Sequence, residues 1–457
     1  MTVRTATPTA PSTSTHQPLA PPSTQAAPST RAAALDKGYP VADRMEARQA
    51  PAPANQKVAE LRALIAGDID RPEEAKILTL VRGATPAELD LMMKSVDVTK
   101  LVHGMEDHWL SLKSTFAFIQ FGPKSRSDLV RLLSEGRLAD LSPESRAHVV
   151  RALQVGFTDR REEKAIKNIF VNTRGRDLTA LKNGLEVSGN YHDLQRLVFH
   201  DIDNKGIRNE ILQHIAREGA ALPPSAVKIL SDIDDTFYAN LKDKGFPKKT
   251  VYPGIRQLYQ ELDRGTNDDR RGDLVFITAR PGLVGGVVED ATIKMLKANQ
   301  VDATVLTGNL ISNVSNNEIA KEKLQNFSDY RQLYPEYNVV FFGDDGQGDV
   351  QVAKGIRDAA AQASRLALIH DVVGMSAAER QRLRDETGAV VFDSYVDAGT
   401  EAYTRGLIGR DGLLRVMDAA QAEFAAITFE SEAQKGARAA ELQSALERAA
   451  AALAPRS

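Results

Sequence analysis

Two carboxylates, Asp232 and Asp234, stand two residues apart directly behind the strand-forming run 227–230. Side chains at i and i+2 of a strand share a face. Where such a strand ends above the carboxyl edge of an open α/β sheet, both groups can address one atom, because ligands of such sheets bind at that edge. A pair of this kind suits a nucleophile and a proton carrier. Taken alone, the acidic stretch 232–235 could equally be a solvated turn or a helix N-cap cluster.

Three later features fall where further strands should end. Thr278 closes the apolar run 275–277 and offers a hydroxyl and the following N–H groups to an anion. Arg280 follows two residues on, suited to substrate contact or to a structural ion pair. The segment 343–349, Gly-Asp-Asp-Gly-Gln-Gly-Asp, supplies Asp344, Asp345 and Asp349 on a Gly-rich turn, the hard oxygen donors that magnesium prefers. A cation is also needed to offset charge on a transferring phosphoryl group. Ser315 and Glu318 form a capping box, which predicts a helix over 316–333 carrying Lys321 and Lys323. Lys323 lies in line with Ile319, Phe327 and Tyr330, the side expected against the sheet, and Lys321 looks outward. Lys323 is therefore the expected site lysine.

In this order the motifs resemble the haloacid dehalogenase superfamily of aspartate-nucleophile phosphohydrolases. SDIDDT at 231–236, YPG at 252–254, TARP at 278–281, a lysine twelve residues before Pro335 and GDDGQGD at 343–349 resemble the catalytic domain of the actin-patch-protein type of phosphatidate phosphatase. The chain departs from that pattern at Asp345, usually Ser, and at Val350-Gln351, usually Pro-Glu. The likeness covers about 170 residues of the middle of the chain. It implies that Asp232 attacks phosphorus and that Asp234 protonates the leaving alkoxide and then activates water. It implies magnesium held by Asp232, the backbone carbonyl of Asp234 and Asp344, with Asp345 and Asp349 as further ligands or orienting groups, and Thr278 and Lys323 on the phosphoryl oxygens. The implied reaction is hydrolysis of phosphatidate to diacylglycerol and phosphate. A soluble phosphoester or phosphoprotein as substrate, and a non-catalytic module that binds anionic lipid, remain alternatives.

The elements that must position these residues follow from periodicity. Runs at 227–233, 274–278, 303–306, 339–342, 366–369 and 390–392 alternate with helical stretches, so residues 223–405 should form an α/β domain with a Rossmann-like parallel sheet, and the gaps 236–274 and 278–323 are too short to hold an extra cap domain. Residues 55–222 read as an all-helical, possibly repeated unit: Asp70 and Asp159, 89 residues apart, each open a capping box, with Ile77 and Ile166 at the same offset. A scaffold or partner-docking role suits such a unit. Residues 406–457 read as Ala-rich helices that need a surface to lie on. Residues 1–54 hold nine of the twenty prolines and few large apolar side chains, the composition of a disordered tail.

Composition narrows the function classes. A formal charge of −3 without charged blocks gives no nucleic-acid footprint, and zero cysteines excludes disulfides and thiolate metal sites. No apolar run nears the ~18 residues of a membrane span. The expectation is a cytoplasmic protein, peripheral to membrane if the basic flap of Lys242, Lys244, Lys248 and Lys249, with Phe246 as its apolar tip, meets anionic lipid, with export by a non-Sec route left open.

Overall fold

A computed structural model of the chain describes residues 52–107, 124–156, 158–186, 193–223, 227–264, 274–281, 294–299, 301, 304–308, 315–360 and 364–454. Residues 1–51 of the expected tail lie outside them. The first helix, Ala52–Leu64, begins inside the span assigned to that tail. Its Pro53 falls in the first turn, where a missing N–H leaves no helical hydrogen bond unmade.

Six strands form one sheet in the order β3-β2-β1-β4-β5-β6: β1 (Val227–Ser231), β2 (Leu274–Pro281), β3 (Thr304–Gly308), β4 (Asn338–Asp344), β5 (Ser364–His370) and β6 (Val390–Phe392). Every pairing is parallel. Alternate residues enter two different cores: Ile229, Val340, Phe342 and Leu368 on one face, Leu230, Val339, Phe341 and Ile369 on the other. Burial on both faces is why these strands read as continuous apolar runs. The helices Ile255–Arg264, Tyr395–Thr404, Arg410–Ala425 and Glu432–Leu453 cover the first face. The last two are the Ala-rich helices of the C-terminal region; Ala445 and Ala449 are fully buried, and Arg448 grips Asp397 through two bonds of 2.8 and 3.0 Å.

The second face carries the helices Asn316–Leu333 and Asp349–Ala360 and, beyond them, the helical region. In that region Asp70 and Asp159 both close capping boxes, and Ile77 and Ile166 are both fully buried. The two helix starts share one more device. Glu74 and Glu163, buried in the first turn, each accept a remote backbone N–H, from Glu106 at 2.8 Å and from Asn204 at 2.9 Å.

The apolar core does not stop at the border near residue 222. One cluster runs from Val58 to Ile215 and on to Leu230, Phe327 and Phe341. A polar seam accompanies it: Lys182 Nζ donates to Glu336 Oε1 and to the Leu333 carbonyl, both at 2.7 Å, and Asn183 donates to Tyr337 at 2.8 Å. Lys228 on β1 donates to Asn183 at 3.1 Å and lies 4.2 Å over the ring of Tyr334. Burial pushes the Lys182 ammonium down to about 8, against the pull of Glu336. No helix among the described residues is long and apolar enough to cross a membrane.

Removing one member of a buried pair strands the other charge, whereas removing both leaves a packed apolar seam. Lys182→Met should therefore lose ~3–5 kcal/mol in urea unfolding. The double variant Lys182→Met/Glu336→Leu should recover most of that loss; equal losses in the two would refute the account.

Candidate active site

The sheet order reverses between β1 and β4, since β2 and β3 extend one way and β5 and β6 the other. The carboxyl ends of β1 and β4 therefore stand side by side with their flanking helices on opposite faces, which leaves a crevice there. Asp232 directly follows β1, its N–H donating to the Phe342 carbonyl at 2.9 Å to continue the ladder, and Asp344 ends β4. Behind them Ser231 Oγ and Tyr259 Oη share a 2.6 Å hydrogen bond.

The third carboxylate comes from the first residue of the helix Asp349–Ala360. Asp349 Oδ2 accepts the Asp344 N–H at 3.3 Å, and the loop between them folds tightly: Gly346 N–H donates to Asp344 Oδ1 at 2.8 Å. Two glycines allow this. A Cβ on Gly343 would stand 2.5 Å from that of Asp349, and one on Gly348 would stand 2.6 Å from the Asn316 carbonyl. The second close approach sets the loop against the first turn of the helix Asn316–Leu333, which bears Lys323.

Ser315 caps that helix with Glu318. Lys323 is 2% exposed and places Nζ 2.8 Å from Asp232 Oδ1 and 2.5 Å from Asp349 Oδ1, while Lys321 faces outward. Carboxylate oxygens of Asp232, Asp344 and Asp349 all lie within 4.8 Å of one another. Three buried carboxylates against one ammonium leave two negative charges in excess. At such a distance and an effective dielectric of ~20, each like pair repels by roughly 3 kcal/mol. The crowding acts on the carboxyl groups themselves: burial, opposed by Lys323 and aided by Asp349, pushes Asp232 up to about 7. Burial, then Asp349 and Asp232, raise Asp344 well above the carboxylate range. A hard donor set with this charge excess fits a divalent cation.

Other expected site residues fall as follows. Asp234 is outside the three-carboxylate cluster; its Oδ1 accepts from Asn240 Nδ2 at 2.6 Å. Asp345 is outside the three-carboxylate cluster as well, which fits the orienting role the sequence offered it rather than the ligand role. Just past the end of β4, it accepts the Val372 N–H at 2.8 Å and lies beside Asp371. β2 passes through Thr278 and Arg280, whose side chains lie outside the described residues. The flap also differs. Phe246 does not form an apolar tip but packs edge-on to Tyr252 at 5.4 Å and against Phe429 at 6.0 Å. Among the described residues, Leu241, 48% exposed, and Val373, 58% exposed, are large apolar side chains left exposed at this edge, with Lys242, Lys244 and Lys248 exposed around the flap.

Two partners of the site were missed by sequence reasoning. Asp235, fully buried with φ 57°, accepts the N–H groups of Asn240, Leu241 and Lys242 at 2.6–3.1 Å, and His370 Nδ1 donates to its carbonyl at 3.0 Å. Asn240 reaches Asp234. Their signal was their place in and beside the flap, six residues or fewer from the second carboxylate.

The raised carboxylates generate a pH prediction. Without cation, the folded chain holds more protons than the unfolded one between the ordinary Asp value and about 7, so its stability should fall as pH rises through that window. A cation must displace those protons. Magnesium should thus raise the melting temperature more at about pH 8 than at about pH 6, and Asp344→Asn should abolish the rise, as read by thermal unfolding. No protein-family model, no curated protein and no solved structure matches the chain, so its function rests on the geometry of this site.

Proposed function

We propose that the chain is a divalent-metal-dependent phosphomonoester hydrolase of the haloacid dehalogenase type, working through an aspartyl phosphate on Asp232. The observation that carries this reading is the buried cluster of Asp232, Asp344 and Asp349 around Lys323 at the topological switch point. Asp232, Asp344 and Asp349 would hold the cation, with magnesium the natural choice for an all-oxygen set. Bound there, it supplies charge compensation that lets an anionic nucleophile approach an anionic phosphoryl group.

The residues divide the work. Lys323 holds Asp232 at 2.8 Å and fixes the oxygen that attacks phosphorus. As the Asp232–phosphorus bond forms and the bond to the leaving oxygen breaks, Asp234 gives its proton to that oxygen. The Asp234 carboxylate then takes a proton from water; the hydroxide formed attacks phosphorus, and the Asp232–phosphorus bond breaks. Asp349, paired with Lys323 and bonded to the Asp344 N–H, keeps the loop and the lysine in register.

For substrate we propose a phosphatidate-like lipid monoester. The rim supports it: exposed Leu241 and Val373 beside exposed flap lysines present apolar and cationic groups together, the combination that meets an anionic lipid surface.

Magnesium-dependent release of phosphate from a nitrophenyl phosphate by the full chain is the first expected result. Asp232→Asn should reduce it to background, and Asp234→Asn should lower turnover of alkyl phosphates by ~10²–10⁴-fold. Wild-type rates in both variants would sink the mechanism. Turnover of phosphatidate vesicles no faster than that of sugar phosphates or phosphopeptides would remove the lipid assignment alone.

A further inference from the structure

Asp234 has a side-chain partner that sequence motifs did not point to. Asn240 Nδ2 lies 2.6 Å from Asp234 Oδ1. An amide N–H donates and cannot accept, so the oxygen it touches stays an acceptor whether Asp234 is protonated or ionised. A protonated carboxyl accepts best through its carbonyl oxygen, so the Asn240 bond on Oδ1 favours the proton on Oδ2. We propose that Asn240 is a positioning residue that fixes which oxygen of Asp234 carries the transferred proton, and so where that proton is delivered. The inference rests on the phosphatase reading.

The backbone around Asn240 is built to hold it there. Asp235 turns the chain at φ 57°, a left-handed conformation that Asp tolerates. Its carboxylate takes the Asn240 N–H at 2.7 Å on Oδ1 and the Lys242 N–H at 2.6 Å on Oδ2, with the Leu241 N–H between them at 3.0 and 3.1 Å. Three amides on one buried carboxylate leave the flap root little freedom. His370, buried and stacked on Phe392 at 5.2 Å, anchors the Asp235 carbonyl from the far side. Tyr395 Oη likewise donates to the Thr236 carbonyl. The turn that presents Asn240 is therefore fixed from below by β5 and by the helix Tyr395–Thr404, independently of any substrate.

In the transfer step, the leaving oxygen gains the proton from Asp234 Oδ2 while its bond to phosphorus breaks and its electron pair becomes a lone pair. Oδ1 keeps the Asn240 hydrogen bond throughout, so the carboxylate left behind is already solvated by one charge-assisted bond. A leaving group that departs as a stable anion needs no such proton. This separates positioning from a general structural role.

The test compares wild type, Asn240→Ala and Asn240→Ser in the full chain with magnesium, on a nitrophenyl phosphate and on a soluble alkyl phosphate such as glycerol phosphate. Ser keeps a turn-forming polar residue but falls short of Asp234. In both variants kcat/KM for the alkyl ester should drop by ~10-fold or more, part of the contribution of a placed general acid. The nitrophenyl ester should lose no more than about 3-fold. Equal losses on the two esters, or no loss on either, would overturn the role of Asn240 and leave the phosphatase reading standing. A wild-type chain inactive on both esters would remove both.

Discussion

Lys323 sits out of water between two carboxylates, and the arrangement of the site depends on that contact. Its Nζ touches Asp232 and Asp349, which come from opposite ends of the motif set, 117 residues apart, and from different elements. A buried ammonium is tolerable only beside negative charge, because unpaired charge in the interior costs several kcal/mol. Asp232 and Asp349 both point at it, so strand β1, the loop after β4 and the helix Asn316–Leu333 are locked into one geometry. The glycines at 343 and 348 follow from the same demand: a Cβ on the first would push Asp349 aside, and one on the second would hold the loop away from the lysine helix.

The lysine solves only part of the electrostatic problem. Three carboxylates share a dry space, and the folded chain answers by raising two of them toward neutrality. A site evolved for stability alone would replace such a group with apolar side chains, which is often neutral or favourable. Keeping the charge excess is sensible where something cationic completes it and something anionic must then be attracted. The switch point suits this use. It gathers the ends of β1 and β4 without placing a helix over them, so acidic groups can share one space while the strands beneath stay fully buried.

Much of this was legible in the sequence, for local reasons. The six strands were visible because a doubly covered parallel sheet needs unbroken apolar runs, and their ends fall within a few residues of the expected positions. Ser315 and Glu318 marked the start of the lysine helix, and helical phase chose Lys323 over Lys321. What failed was non-local or depended on a side chain's direction. Asp345 has the right type and neighbourhood, but its carboxylate is engaged by the Val372 N–H from beyond β5, a contact that sequence spacing does not report. Phe246 looked like an exposed tip because its partners, Tyr252 and Phe429, come from outside the flap, Phe429 from far along the chain. The pair of Lys182 and Glu336 spans 154 residues, a contact no periodicity reports.

That long-range pair also bears on why the helical region belongs with this sheet. Glu336 follows the end of the lysine helix by three residues and precedes β4, while Lys228 lies in β1 against Asn183 and Tyr334. The seam thus grips the entry side of β1 and β4, whose exit sides hold Asp232 and Asp344, and the C-terminal end of the helix that carries Lys323 in its first half. Gln195 adds a hydrogen bond to Asn326, one turn beyond Lys323 on its helix. A helix held only by the sheet could slide along its axis at small cost, since apolar contacts are non-directional. Hydrogen bonds and a buried ion pair are directional and fix the axial register. The helical region therefore supplies a constraint that the sheet core cannot, and the position of a single ammonium in the first half of the helix depends on it.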